Sequence, residues 1–480
     1  MVVGEMPEGV DLLVVGGGPG GYVAALHAAR RGRSVLLVDA AGERGLGGIC
    51  VSVGCIPSKA LIELAGTAHG LGDWAERGLS VPRADVDLVA FQVWKERLVD
   101  GLRSGVGRLL DQAGVEVRQG RFRFTRRDQG AVESGAGPPS HVQFRSCVLA
   151  TGSRPAELPP VPRDGVRVLD STDVLALDQV PESVAVVGGG YVGIELGTAL
   201  AKLGARVTIV EPADGILPAF GGQIAVPVAR RLARLGVDVR TGTTVVADDG
   251  ERLTVRGPAG AEEWLDGDRV VVAVGRMPNT DDVGLDALGV TAGADGLLAV
   301  GQDRLLTPSV AAIGDITPGP ALAHKATAEA RVAVDVLCGV ANAFDPSAVP
   351  AVVFSDPEVA TVGLSLDEAR AQGYDAEVAS FPTSALGRAR TLAEDAGFTQ
   401  LVYVRTDGML LGAQLVGPHA SDLVAEAALA VEMRANLEDL AETIHPHPTM
   451  SESFMEAALV GLGTPVHIAA GRAGSRRAAG

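Results

Sequence analysis

Two cysteines and one histidine are the residues best placed to do chemistry. Cys50 and Cys55 stand five positions apart in residues 47–60, GGICVSVGCIPSKA, in a chain with only four cysteines. Two sulfurs held together can cycle between dithiol and disulfide, whereas two cysteines that only pack behave as small apolar residues. On a continuous α-helix their Cα atoms would lie about 8.7 Å apart. A disulfide tolerates at most roughly 7 Å, so a bonded pair requires irregular backbone between them. Pro57 agrees, because proline fits the first turn of a helix and disrupts its interior. Gly47, Gly48 and Gly54 admit close approach of backbone or of a flat ligand. Lys59, one turn past Cys55, offers a cation to a thiolate or to a reduced cofactor.

The histidine is His447, in IHPHPTMSESFMEAA, with Glu452 five residues on, near the start of a predicted helix that Ser451 is suited to cap. A carboxylate beside an imidazole stabilises the imidazolium and gives a base that works near neutral pH. The plainer reading is a histidine that packs or caps.

The elements that must position these groups are written twice in the chain. An apolar run over residues 10–15 leads into GGGPGGYVAALHAARRG, where Gly16, Gly18 and Gly21 fit G-x-G-x-x-G, and the next apolar run, SVLLVD, ends at Asp39. The same device recurs over residues 183–211, with Gly188, Gly190 and Gly193 followed by Glu211 at the same interval. Glycines that admit a pyrophosphate, a helix amino terminus that attracts its charge and a carboxylate for the ribose hydroxyls make a dinucleotide site. Two such sites imply two nucleotide-binding domains.

The cysteine run is similar to the redox-disulfide motif of the FAD-dependent pyridine nucleotide-disulfide reductases, the family of dihydrolipoamide dehydrogenase and glutathione reductase. The resemblance implies a Cys50–Cys55 redox disulfide, with Cys50 as the interchange sulfur and Cys55 on the flavin side. Ile49 and Ser52 stand where the family usually has Thr and Asn. The first fingerprint is then expected to hold FAD and the second NAD. Glu211 would accept from the adenosine 2′-hydroxyl and repel a 2′-phosphate, and PADGILP after it has no arginine, which favours NAD over NADP. Thr151 and Gly152, in ATGSRP, resemble the point where the chain leaves the FAD domain, and the similar strand VVVAVGRMPNT, which holds the candidate cofactor residue Gly275, ends the second nucleotide domain near Met277. Asp315, in IGDIT, resembles the second FAD motif, and Ala323, His324, Lys325 and Ala326 resemble a flavin-side helix start; His324 alone reads equally well as a surface histidine.

Lys59 is expected to pair with Glu195, and Tyr191 resembles an aromatic gate over the nicotinamide pocket. HPHPT followed by SE is similar to the acid–base motif of the dihydrolipoamide dehydrogenase branch, with His447 as base, Glu452 as its partner and His445 non-catalytic. In the family this histidine reaches across a two-fold axis to the other subunit's disulfide, so a homodimer is expected. The GGGPGGYVAA start, LAHKA and HPHPT favour this branch over the glutathione reductases, and the implied substrate is lipoamide or a lipoyl domain. A reductase of another small disulfide, such as mycothiol, stays open, as does a mainly assembling role in a multienzyme complex.

The expected fold is α/β: two Rossmann-like nucleotide-binding domains followed by an α+β dimer-interface domain. The expected bounds are 1–155 for FAD, 156–277 for NAD, 278–347 for a central part completing the FAD site, 348–468 for dimerisation and 469–480 for a disordered tail. Residues 126–141, rich in Gly, Ser and Pro, read as an exposed loop. Cys147 and Cys338 read as core cysteines, and no metal ligands are assigned. A net charge of −18 argues against nucleic acid and anionic membrane, and suits a basic subunit-binding domain as partner. No basic leader precedes an apolar core, and no apolar run reaches the ~20 residues of a span, so a soluble, cytoplasmic protein is expected.

Overall fold

The computed structural model describes residues 8–79, 84–135 and 137–469. From residue 470 on, the expected disordered tail lies outside these. The chain begins with β1 (Glu8–Val15), α1 (Pro19–Arg30), β2 (Val35–Asp39), α2 (Gly48–Ser52), α3 (Cys55–Gly70), α4 (Leu88–Gln112), β3 (Glu116–Gln119), β4 (Arg121–Arg126), β5 (Gln129–Glu133) and β6 (Ser140–Leu149). Strands β3, β2, β1 and β6 lie side by side and parallel. Because helices cover such a sheet, its central strands β1 and β2 are apolar: Leu13, Val14, Leu36 and Leu37 are fully buried.

Residues 126–141 depart in part from the expected loop. They contain β5, paired antiparallel with β4 and β6, and Ala131 and Val132 in it are buried. Gly130 stands within this strand. A Cβ there would meet the Phe122 ring at 2.2 Å, so this glycine makes room for a packed ring and marks no turn.

The second unit runs through β7 (Ser153–Pro155), β8 (Val168–Leu169), α5 (Ser171–Val174), β9 (Ser183–Val187), α6 (Tyr191–Leu203), β10 (Arg206–Val210), α7 (Gly222–Arg234), β11 (Asp238–Arg240), β12 (Thr244–Asp248), β13 (Arg252–Arg256), β14 (Glu262–Asp266), β15 (Arg269–Val272) and β16 (Arg276–Pro278). Its parallel sheet has the order β11-β10-β9-β15-β8, and β12-β13-β14 form a separate antiparallel sheet. Strands β7 and β16, where the chain enters and leaves this unit, pair antiparallel as a two-stranded ribbon. The chain then returns to the first sheet: β17 (Leu305–Thr307) pairs with β18 (Val310–Ala312), which lies parallel to β6, and α8 (Ala323–Leu337) packs on α1.

The last unit comprises β19 (Ala351–Val353), β20 (Val359–Gly363), α9 (Leu366–Ala371), β21 (Ala376–Pro382), α10 (Gly387–Leu392), β22 (Phe398–Val404), β23 (Leu410–Val416), α11 (Ala420–Glu432), α12 (Leu437–Glu442) and α13 (Glu452–Gly461). Its antiparallel sheet packs on α11 and α13 around Phe381, Leu401, Leu415 and Phe454. The architecture is the expected one of two doubly wound units and an α+β unit. The helical stretch Gly48–Ala75 has the length and hydropathy of a membrane span, contrary to the expectation that no run did. It is interrupted between α2 and α3, carries Lys59 and Glu63, and packs α3 against α6.

Candidate active site

Both phosphate turns are built by glycines for distinct reasons. At Gly16, with φ +102°, a Cβ would meet the Ala150 carbonyl at 2.3 Å, and at Gly21 it would meet the Gly16 carbonyl at 1.8 Å. Gly18 differs, since the nearest atom to a Cβ there is Gly48 Cα at 3.9 Å, so the missing side chain leaves room for a ligand. The second turn repeats this: a Cβ on Gly188 would meet the Ala273 carbonyl at 2.4 Å and one on Gly193 the Gly188 carbonyl at 1.9 Å, while Gly190 faces open space. The strand-end acids also match. Asp39 accepts from Gly17 N–H and Ala41 N–H, both at 2.8 Å, and Glu211 accepts from Gly189 N–H (2.7 Å) and Ala213 N–H (2.9 Å). No side chain caps α1 or α6, so their terminal N–H groups are left for an anion.

The first turn opens into a cavity of about 480 Å³, within the range of cofactor sites. It brings together Gly16, Gly18, Asp39, Gly48, Cys50, Cys55, Lys59, Thr151, Gly152, Tyr191, Glu195, Asp315 and Ala323. Gly21, Gly188, Gly190, Gly193, Glu211 and Gly275 do not line it. Gly275, at φ +122°, stands just before β16 and so before Arg276 and Asn279, which do.

The two cysteines sit on separate helices, Cys50 in α2 and Cys55 at the first position of α3, with Val53 and Gly54 breaking the helix between them. Both are thiols here. The Cys50 thiol donates to Cys55, and this bond, with Lys59 assisting against burial, holds Cys55 down to about 7. The same bond and burial push Cys50 far up. Lys59 Nζ lies 2.9 Å from Glu195 Oε2 and 4.5 Å from the centre of the Phe354 ring, and Glu195 Oε1 accepts from Phe354 N–H at 2.9 Å. Ile49 lines the cavity, and Ser52 Oγ accepts from Arg103 Nη2 at 3.4 Å.

On another wall, Arg276 Nε donates to Ser153 Oγ (2.7 Å), which donates to Asp315 Oδ2 (2.5 Å). Thr151 Oγ1 donates to the Asn279 carbonyl at 2.6 Å, so that hydroxyl holds the ribbon in place. His324 bonds the Pro350 carbonyl at 2.8 Å on an exposed face and does not line the cavity, which favours the surface-histidine reading. Sequence reasoning missed the buried Arg304 and Glu329 beneath Gly314. The only signal was the i, i+4 spacing of Lys325 and Glu329 on α8. Cys147 is fully buried, with its thiol pushed up by burial, whereas Cys338 is only half-buried at the end of α8.

His447 Nδ1 lies 2.9 Å from Glu452 Oε1, and Glu452 Oε2 accepts from Thr449 N–H at 2.9 Å. Burial pushes the Glu452 carboxyl up, but the Thr449 N–H and His447 outweigh it, leaving the carboxyl below its ordinary value. Ser451 stands at the helix start without capping it; its hydroxyl meets Thr449 Oγ1 at 2.8 Å. The His447 side chain is 72% exposed and is no part of the cysteine cavity of its own chain. His445 is buried, held by the Thr443 carbonyl and Glu426, both at 2.8 Å.

Comparison with known proteins adds sequence-wide likeness to this geometry. Residues 10–330 match the family described as pyridine nucleotide-disulphide oxidoreductase, and residues 349–458 match its dimerisation domain. The chain is 47% identical to a dihydrolipoyl dehydrogenase of Halobacterium salinarum, covering 97% of this chain and 99% of the relative. It is 45% identical to one of Geobacillus stearothermophilus, over 98% and 99%. Among solved structures it is similar to LpdA of Mycobacterium tuberculosis, with a TM-score of 0.85, 28% identity and coverage of 94% and 99%. The HOCl-induced flavoprotein disulfide reductase RclA of Escherichia coli, as its Cu(II) complex, gives a TM-score of 0.83 at 25% identity, covering 94% and 99%.

Proposed function

Because the chain belongs to the pyridine nucleotide-disulphide oxidoreductase family, we propose that it oxidises a dihydrolipoyl dithiol to its disulfide and passes two electrons to NAD⁺ through bound FAD. The observation that carries this reading is the Cys55 thiol, acidified beside Cys50 and Lys59 in the cavity that opens from the Gly18 phosphate turn. The open space at Gly18, the N–H groups of α1 and the Asp39 carboxylate fit a dinucleotide there, with Asp315 and Ala323 on the wall beyond. FAD, when bound, supplies a two-electron acceptor between the cysteine pair and NAD⁺.

The residues divide the work by their acidities. In the oxidised chain, His447, oriented by Glu452, takes a proton from one substrate thiol. The resulting thiolate forms a bond to Cys50 as the Cys50–Cys55 bond breaks, and Cys55 leaves as a thiolate. The second substrate thiol then attacks the mixed disulfide, releasing the oxidised substrate while Cys50 takes up a proton. The acidities match this end state, in which Cys50 keeps its proton and Cys55 carries charge beside Lys59. Exposure of His447 away from its own cavity supports a site completed by His447 of the partner subunit. The C-terminal domain is the family's dimerisation domain, and its exposed Leu429, Met433 and Ile444 offer apolar surface for the second copy. The acidic surplus supports docking to a basic subunit-binding domain, and a cytoplasmic setting suits a transient disulfide.

A second reading, reduction of a charged small disulfide, draws on Ile49, Ser52 and the Arg103 cation beside the cysteine helix. The deciding experiment is steady-state NAD⁺ reduction by dihydrolipoamide, beside NADH-driven reduction of lipoamide, glutathione and mycothiol. Fast lipoamide turnover with NAD and little with NADP supports the first reading. Turnover confined to another disulfide overturns it.

A further inference from the structure

Beneath the cavity wall at Gly314 lies a cluster of three charges that the proposed chemistry does not use. Glu329 is fully buried; its Oε1 lies 2.9 Å from Arg304 Nη1 and 3.1 Å from Lys325 Nζ, and its Oε2 accepts from Gly314 N–H at 2.7 Å. Lys325 Nζ donates to the Gly314 carbonyl at 3.2 Å and to Thr317 Oγ1 at 3.1 Å. Both polar groups of Gly314 are thus held by charged side chains, while Gly314 and Asp315 face the cavity. The side chains of Arg304 and Lys325 are 10% and 2% exposed.

Two cations and one carboxylate leave one uncompensated positive charge inside the protein. A structural tie to one N–H group does not need it, because buried charges are costly and neutral replacements of similar shape are often as stable. Arg304 is not even fully satisfied: its Nε has no hydrogen-bond partner, and its guanidinium lies 4.9 Å from the centre of the Phe344 ring. The uncapped start of α8 adds a positive helix end on the same side. The acids that line the same cavity are already engaged: Asp315, next to Gly314, is bonded by Ser153, and Glu195 is paired with Lys59. We propose that the Arg304, Glu329 and Lys325 cluster raises the reduction potential of the flavin bound against Gly314, acting through the wall by its net positive charge. This rests on the assignment of the cavity to FAD.

The test is a spectroelectrochemical titration of FAD-loaded protein in a Cys50→Ser, Cys55→Ser background, where only the flavin titrates. Lys325→Met and Arg304→Met each remove the surplus cation and should shift the potential negative. Glu329→Gln doubles the surplus and should shift it positive. Each shift should correspond to tenfold or more in the ratio of reduced to oxidised flavin, about 30 mV for two electrons. A brace of purely structural role would move all three variants in one direction, leave them unmoved or release their flavin, and any of these results overturns the proposal. Failure of the unsubstituted protein to bind FAD would instead overturn the functional reading beneath it.

Discussion

Lys59 and Glu195 meet at 2.9 Å, one from the helix that carries Cys55 and the other from the helix behind the second phosphate turn. Glu195 is the only acidic residue on α6, within its buried stretch from Gly193 to Leu200, and its second oxygen takes the Phe354 N–H beside the start of the C-terminal unit. One carboxylate therefore links the three units of the chain at the point where electrons must pass.

Removing that carboxylate strands a cation. Glu195→Gln should lower stability by about 3 kcal/mol, the low end of the cost of breaking a buried pair, because Lys59 keeps some exposure. Denaturant unfolding of the FAD-bound protein reads this directly. A loss under about 1 kcal/mol would show the pair to be no more than a surface contact.

Cys55 should make the reduced protein sensitive to pH. Its folded value, about 7, lies below the ordinary 9.0, so the thiolate's contribution is complete above the ordinary value and disappears as pH falls through about 7. Melting temperatures of the reduced protein should accordingly rise between about pH 6 and pH 9 relative to Cys55→Ala. Parallel profiles for the two proteins would refute the acidified thiol.

His447→Gln should retain FAD and the dimer while dithiol turnover falls by ~10² or more. NADH oxidation by an artificial acceptor, which needs no proton from a thiol, should persist. Equal losses in both assays would place His447 in folding rather than in proton transfer.

Gly190 separates the two nucleotide sites experimentally. A methyl group there meets no protein atom, so Gly190→Ala should fold and bind FAD normally while the KM for NAD⁺ rises several-fold. Gly18→Ala should do the reverse and deplete FAD. An unchanged KM in Gly190→Ala would mean that nothing approaches the second turn closely.

The parts written as short local patterns were legible before the structure: the two fingerprints, the broken helix between the cysteines, and the alternating strands after residue 350. Each is set by neighbours in sequence, and so each leaves a mark there. The Arg304–Glu329 contact spans 25 residues and crosses from a loop to a helix, and nothing in either segment announces the other. The Gly, Ser and Pro content of residues 126–141 concealed β5, because a glycine that yields to a ring, as Gly130 does, and one that turns the chain look alike without the ring. His447 was legible through resemblance alone, since within one chain its pairing with Glu452 gives no sign of the thiols it would serve.

The ribbon formed by β7 and β16 bears on how the second dinucleotide reaches its place. Two chain crossings in register, Ser153 to Pro278 and Pro155 to Arg276, are further tied by Arg154 to Asp281 at 3.0 Å. A single strand between two bodies acts as a swivel, but a doubled one with cross-ties behaves as a beam that resists both twist and swing. The ribbon therefore restrains how far the two nucleotide units can swing against each other. The half-exposed Tyr191 side chain lines the same cavity as Arg276 of this ribbon.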